Sequence, residues 1–353
     1  MKKFFMFLLL LFLFIVPVCA ENEAVLISFV GDCSIGDSAQ YMDYDSSYTT
    51  CLEKNGLEWP FSLVKHYLEA DDLTVANLEV VFTTQRKHAD KQYYLKGNPE
   101  NVKALTLGSI EAVNTINNHS MDFMEEGYRE SLQVLEDAGI AHFGSYRYTR
   151  EDGFDQLAVI ERKGIRFGFI GISYPQDSHL KAISARIEKL KTEEKCDVVI
   201  VSLHWGRETH MTPESWQYKY AKNVLDAGAD MIWGHHPHVI QPIHFYQGKP
   251  ILYSTGNFTF GTMSHVDQST GIFQVTFERN AEGKVEVTKL QVIPCETQYS
   301  PDFRPIELED EAERKAVFRE LTFRKVVYKF FDNLPDSFLE TGIVKLENGA
   351  FVE

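Results

Sequence analysis

Apolar runs that stop abruptly at an acid, an amide or an imidazole recur along this chain, and they restrict it to a layered α/β fold with one polar edge. Ala24–Val30 runs straight into Gly31-Asp32, Leu73–Leu78 carries Asn77 and ends at Glu79, and Asp197–Leu203 ends at His204-Trp205-Gly206-Arg207-Glu208. Met231–Trp233 ends at Gly234-His235-His236-Pro237-His238, and a weaker run, Glu111–Ile116, ends at Asn117-Asn118-His119-Ser120-Met121-Asp122. Near-continuous β-branched runs of this length suit strands buried on both faces. In an open α/β sheet, ligands bind beyond the carboxyl ends of the strands. Acids, amides and imidazoles gathered there point to a metal-dependent hydrolytic site.

Helical segments separate the runs. Trp59–Ala70 spaces its apolar residues at helical intervals, and a second helix runs from Asn98-Pro99 to about Leu107, with Pro99 suited to the first turn. Glu125–Ala138 is closed by Gly139, and a further helix opens at Thr212-Pro213-Glu214-Ser215 and ends near Gly228. Ile140–Phe143 and Ile165–Ile172 read as strands, so β-α-β alternation extends from Ala24 to Trp233. Beyond His238 come the strands Ile240–Tyr246, Pro250–Tyr253, Gly271–Glu278 and Val285–Ile293, turned at Gln247-Gly248 and Glu282-Gly283. Glu309–Phe331 reads as a C-terminal helix of mixed charge. One domain over 24–300, followed by a helical tail over 301–353, is the expected organisation.

Residues 1–20 read as a signal segment. Lys2 and Lys3 precede the apolar Phe4–Val18, and Val18-Cys19-Ala20 forms a cleavage site. The apolar run is shorter than the roughly 20 residues of a membrane-spanning helix. The expected location is outside the cell or in its envelope, with retention of the segment as an N-terminal anchor as the alternative. Export permits a disulfide, and Cys33 with Cys51 is the favoured pair. No Cys-x-x-Cys or Cys/His knuckle supports a structural zinc site. The formal charge of −16 argues against nucleic acid as a partner, since phosphate backbones are held by clustered Lys and Arg. It argues equally against adsorption to anionic membranes, and it favours recruitment of divalent cations.

Each polar cluster has a chemical and a plain reading. Gly31 lets the backbone turn and Asp32 project over the sheet edge, although a turn aspartate bonded to local amides looks the same. Asn77 and Glu79 face the same way, and burial of the pair calls for a partner such as a cation. Asn118 and His119 are suitable ligands for Zn, Mn or Fe, with Asp122 placed to orient the imidazole. Three imidazoles within 235–238 form a histidine-rich metal tract, with His236 and His238 on one side and His235 pointing away. Glu208 is a partner for His204, a proton-transfer group or a surface residue. Arg207 is a bidentate clamp for an anionic substrate or a solvated arginine. Asn257, in Tyr253-Ser254-Thr255-Gly256-Asn257-Phe258, lines the pocket or makes a turn. His66, His88, His142, His210, His244 and His265 have no comparable context.

Taken in order, GD, NLE, NNHxxD, HWGxE, GHHPHVIQP and STGNF resemble the CapA family of poly-γ-glutamate capsule synthesis proteins, over roughly Leu26–Phe260. That family is similar to the calcineurin-like metallophosphoesterases. The resemblance implies an α/β fold, a four-layer α/β/β/α sandwich around two mixed sheets, with two metal ions bridged by a carboxylate. On this chain it implies Asp32 as the first-strand carboxylate, Glu79 as the bridging acid, and Asn118, His119, His204, His236 and His238 as the remaining metal-site residues. Two positions depart from the phosphoesterase pattern: Ser34 stands where a histidine is usual, and Glu79 where aspartate is usual. One or two divalent ions, Zn, Mn or Fe, are therefore expected. The implied function is synthesis, release or anchoring of an anionic envelope polymer by metal-dependent hydrolysis, with membrane-bound polymer synthase subunits as partners. His119 or Glu208 would handle the proton, Asp122 would support His119, and Arg207 and Asn257 would meet the substrate. The alternative is a non-catalytic polymer-binding or assembly subunit that keeps the fold.

Overall fold

Two mixed sheets stack face to face in the computed structural model, which describes residues 23–145, 155–261, 266–322 and 328–352. The signal segment read over 1–20 and His265 lie outside the described residues. The larger sheet has the spatial order Ala350–Val352, Ile343–Glu347, Val285–Thr297, Ser269–Arg279, Val25–Cys33, Leu73–Leu78, Ala112–Asn114, Ala141–Ser145 and Asp155–Gln156. Its strands from Val25–Cys33 to Ala141–Ser145 are parallel, and those flanking them antiparallel. The second sheet runs Asp332–Asn333, Ile243–Tyr246, Lys249–Leu252, Met231–His235, Val198–His204, Ile165–Ser173 and Ala158–Arg162. Here too the centre is parallel and the margins antiparallel.

Strand alternation sends apolar side chains to both faces, which is why the runs are unbroken. Ile27, Phe29 and Val75 of the larger sheet meet Phe169, Ile200 and Trp233 of the second in one buried core. Within it the rings of Phe29 and Trp233 lie 5.5 Å apart. On the outer face of the larger sheet, Val30, Ala76 and Val113 pack against Leu105 of the helix Val102–Leu107 and Leu135 of the helix Met124–Asp137. On the outer face of the second, Val199, Val201 and Ile232 pack against the helices Leu180–Thr192 and Ser215–Asp226. The result is the expected α/β/β/α sandwich.

Several elements differ from the sequence reading. Trp59–Ala70 is not one helix but a 3-10 turn, Trp59–Phe61, followed by the short helix Lys65–Leu68. Leu180–Thr192 went unread, although Ile183, Ile187 and Leu190 stand on one face at helical spacing. The helical tail is corrected most. The helix covers only Glu311–Leu321, capped by the Asp310 carboxylate accepting from the Ala312 and Glu313 amides. Residues after it form strands that complete both sheets, and Phe318, Leu321, Phe338 and Val344 join the inter-sheet core. The Cys33–Cys51 pairing is corrected as well. Both thiols are free and buried; Cys33 turns to the Gly31 carbonyl at 3.6 Å and Cys51 to the Asp302 carbonyl at 3.7 Å.

His244, plain in sequence, makes a separate prediction. It is stacked on Phe331 at 5.9 Å and buried, and burial pushes its imidazole down to about 4. The unfolded chain, with an ordinary value near 6.5, binds the extra proton first, so stability is complete above that pH and is lost as pH falls toward 4. The depression corresponds to about 3 kcal/mol. Denaturant titrations of His244→Phe should show a shallower loss between pH 6.5 and 4 than wild type; identical slopes would contradict this assignment.

Candidate metal centre

Sheet register builds the site. Ile27 stands opposite Leu73 and Phe29 opposite Val75, yet Asp32 stands opposite Asn77. The first strand therefore carries one extra residue at Val30-Gly31, a bulge that re-aims the side chains beyond it. Gly31 permits this because the chain returns close by: a Cβ there would lie 2.0 Å from the Gly256 carbonyl oxygen. Asp32, Asn77 and Glu79 consequently share the inter-sheet side, and all three are fully buried.

The Asp32 carboxylate accepts from Asn77 Nδ2 at 2.7 Å, and its oxygens lie 3.3 Å from His235 Nδ1 and 3.4 Å from His238 Nδ1. Asn77 is held in turn by Asn114 Nδ2 at 2.8 Å. Glu79 receives Asn77 Nδ2 on Oε2 at 3.2 Å, but its Oε1 has no hydrogen-bond partner among the described residues. That oxygen faces the Nε2 atoms of His238, His119 and His204 at 3.8, 3.9 and 4.0 Å. His204 Nε2 also lies 2.9 Å from Asn118 Oδ1. His236 and His238 sit at φ 95° and 59°, left-handed values that cost a non-glycine residue about 1–3 kcal/mol each. The loop holds that strain while presenting both rings to the carboxylates.

Two donor groups result: Asp32, Glu79 and His238, and Glu79, His204 and His236, with the ligand atoms of each within 4.8 Å of one another. Glu79 is common to both. The exposed Glu208 forms a third group with His236 and His238. Behind His119, Nδ1 donates to Asp122 Oδ2 at 2.7 Å, and Asp122 is fixed by Lys91 Nζ and the Leu95 amide, each at 2.6 Å. This hydrogen bond leaves Nε2 of His119 directed at the centre.

Charge states are set by the surroundings. Burial, then the Asp32 and Glu208 carboxylates, push Glu79 well above the usual carboxylate range. Burial also acts to raise Asp32, but the contact and charge of His235 and the charge of His238 outweigh it and hold Asp32 below its ordinary value. Burial, reinforced by neighbouring imidazoles, drives His204 well down and His236 to about 4; burial lowers His119 against the pull of Asp122. These three imidazoles are neutral at pH 7, the form that binds metals. A buried carboxylate oxygen without a donor, ringed by neutral imidazole nitrogens, fits a divalent cation.

Asp32, Glu79, His204, His236 and His238 fall within the donor groups, while Asn118 and His119 stand beside them, Asn118 against His204 and His119 at 3.9 Å from Glu79. Three expectations are corrected. His235 does not point away: it closes its strand on the same face as Trp233, stacks edge-on against that ring at 4.0 Å and reaches Asp32. Asn257 is buried and accepts on Oδ1 from His238 Nδ1 at 2.8 Å, so it orients a ligand rather than facing substrate. Arg207 is exposed and does not line the cleft above the centre. Lys91 and Asn114 went unread, Lys91 because nothing in its polar loop marks it and Asn114 because a strand amide has no distinctive spacing. Ser34, at the position of the usual histidine, donates to the Gly36 carbonyl and accepts from the Gly261 amide, turned from the metal groups. The centre opens into a cleft of about 570 Å³ whose walls include Asn118, His119, Glu208 and His238.

Residues 26–262 match the family model described as bacterial capsule synthesis protein PGA_cap. The chain is 29% identical over 319 residues to the PGA biosynthesis protein CapA of Bacillus subtilis (strain 168), covering 86% of this chain and 79% of that protein. It is 26% identical over 326 residues to the capsule biosynthesis protein CapA of Bacillus anthracis, covering 86% and 74% respectively. Among solved structures, a phosphatase of Mycoplasma pneumoniae aligns over 77% of this chain and 94% of its own at 16% identity, with a TM-score of 0.47.

Proposed function

The chain belongs to the bacterial capsule synthesis protein family PGA_cap, and from that membership we propose an exported, metal-dependent hydrolase for synthesis, release or anchoring of an anionic envelope polymer such as poly-γ-glutamate. The observation that carries the proposal is Glu79 Oε1, buried without a donor and faced by three imidazole Nε2 atoms. Asp32, Glu79 and His238 would hold one divalent ion, and Glu79, Asn118, His204 and His236 a second, with Zn, Mn or Fe compatible with the donors. When bound, the ions supply Lewis acidity and bring the pKa of water down to about 7. His119, its Nδ1 proton fixed on Asp122, accepts a proton at Nε2, and the Asp122 carboxylate stabilises the resulting imidazolium. Glu208, exposed at the cleft wall, is the second proton-handling group. The pattern of residues 1–20 supports export, and membrane-bound polymer synthase subunits are the partners this location would give.

A second reading has one observation in its favour. Ser34 is committed to backbone partners, so the group on the Asp32 side has three protein donors among the described residues. A non-catalytic assembly subunit would tolerate that. His119→Ala separates the two readings. The hydrolase should keep its metal and lose about 10²- to 10⁴-fold in rate, as removal of a general base does. Capsule production should fall with it. Wild-type capsule yield from His119→Ala would favour the assembly subunit.

A further inference from the structure

Among the described residues, the exposed tyrosines gather at the metal centre and along the cavities that lead from it. Among the described residues, Tyr41, Tyr44, Tyr93 and Tyr174 are the tyrosines exposed by 40%, 56%, 47% and 52%. Tyr41 and Tyr93 line the metal cleft. The same two rings, joined by Tyr44, line a second cavity of about 220 Å³ that ends at Ser46, Ser47 and Ser300. The two cavities therefore adjoin at Tyr41 and Tyr93, the first holding His119 and His238 in its wall and the second neither. Tyr174 stands at the centre itself, edge-on to His236 at 5.6 Å. The rings are held in place: Tyr41 and Tyr44 meet edge to face at 5.4 Å, and Gln92 Nε2 donates to the Tyr93 hydroxyl at 3.1 Å.

The charges along the groove select its occupant. Lys91 is the one Lys or Arg among the described residues lining either cavity, and its ammonium is already paired with Asp122 at 2.6 Å. Glu208 and Asp37 add negative charge, and the chain as a whole carries −16. A polyanion laid along this path would find no free cation among those residues to neutralise it. Aromatic faces interleaved with hydroxyls and a side-chain amide suit a ligand with apolar ring faces and hydroxyl or amide edges.

We propose that the metal cleft continues into a tyrosine-walled groove that binds an uncharged glycan chain, so that the polymer reaction takes place beside a bound glycan. The proposal rests on the functional reading above only for what happens at the metals; glycan binding itself needs no metal.

The test is titration calorimetry of the full folded domain with an N-acetylglucosamine oligomer and, separately, a γ-glutamate oligomer. Each titration is run on metal-loaded and on chelator-treated protein. The glycan should bind in both states, weaken by about tenfold in Tyr93→Ala and in Tyr41→Ala, and recover in Tyr93→Trp, which restores an aromatic face. Absence of glycan binding would overturn the proposal. So would unchanged affinity in both alanine variants, or preference for the glutamate oligomer. If glycan binding persists while metal content proves to be zero, the groove stands and the hydrolase reading fails.

Discussion

Glu79→Gln should empty the centre of metal and abolish hydrolysis while leaving the metal-free protein at least as stable as wild type. Both halves come from one environment. Glu79 is the only residue common to the Asp32-His238 and His204-His236 groups, so losing its charge weakens both positions at once. The loss of affinity should exceed the roughly 10- to 100-fold that removal of an outer partner of a ligand costs. Without metal, the same carboxyl is a liability: burial and then the Asp32 charge penalise its ionisation. Its folded pKa lies above the unfolded one, so its contribution is present at low pH and is lost as pH rises through the folded value. A neutral amide avoids that loss, and Asn77 Nδ2 can still donate to the amide oxygen. Elemental analysis together with denaturant unfolding at pH 7 checks both halves. Wild-type metal content in the variant would remove Glu79 from the centre.

Gly31→Ala carries the largest expected cost to the fold. A Cβ at that position meets the Gly256 carbonyl oxygen at 2.0 Å and the Thr255 carbonyl oxygen at 3.0 Å, both backbone atoms that cannot swing aside. Relief requires separating the first strand from Asn257–Thr259, which pairs with it at Asp32 and Cys33. The destabilisation should reach about 3 kcal/mol or more, the upper range for overpacking. Metal affinity should fall too in whatever fraction folds, because the bulge aims Asp32. A variant with the wild-type unfolding midpoint and full metal content would show that the bulge does not depend on this close approach.

Fold class was readable because parallel strands buried on both faces leave unbroken apolar runs, as in Val25–Val30 and Val198–Leu203, and these need no partner to be recognised. The ligand residues were readable because they sit where those runs stop. What escaped depends on register or on tertiary contact. The bulge that turns Asp32 inward is invisible in Val30-Gly31-Asp32 itself and appears only when the strand is paired with Leu73–Leu78. The spacing of His236 and His238 points His235 outward, but those two have left-handed backbones, so strand alternation ends at His235 and cannot be counted through them. The sequence leaves Asn257 facing substrate because its hydrogen bond to His238 joins a strand residue to a loop residue 19 positions earlier. The C-terminal strands were lost for a different reason. Ile343–Glu347 alternates buried and exposed residues over five positions, too short a signal beside the charge-rich helix that precedes it.

Metal content of the purified wild-type protein, after reconstitution with Zn, Mn and Fe in turn, tests the central claim most directly. A carboxylate shared between two donor groups predicts two ions per chain, bound together and lost together in Glu79→Gln. A chain that takes up no metal under any of the three conditions, or that binds a single ion unaffected by Glu79→Gln, would contradict the account.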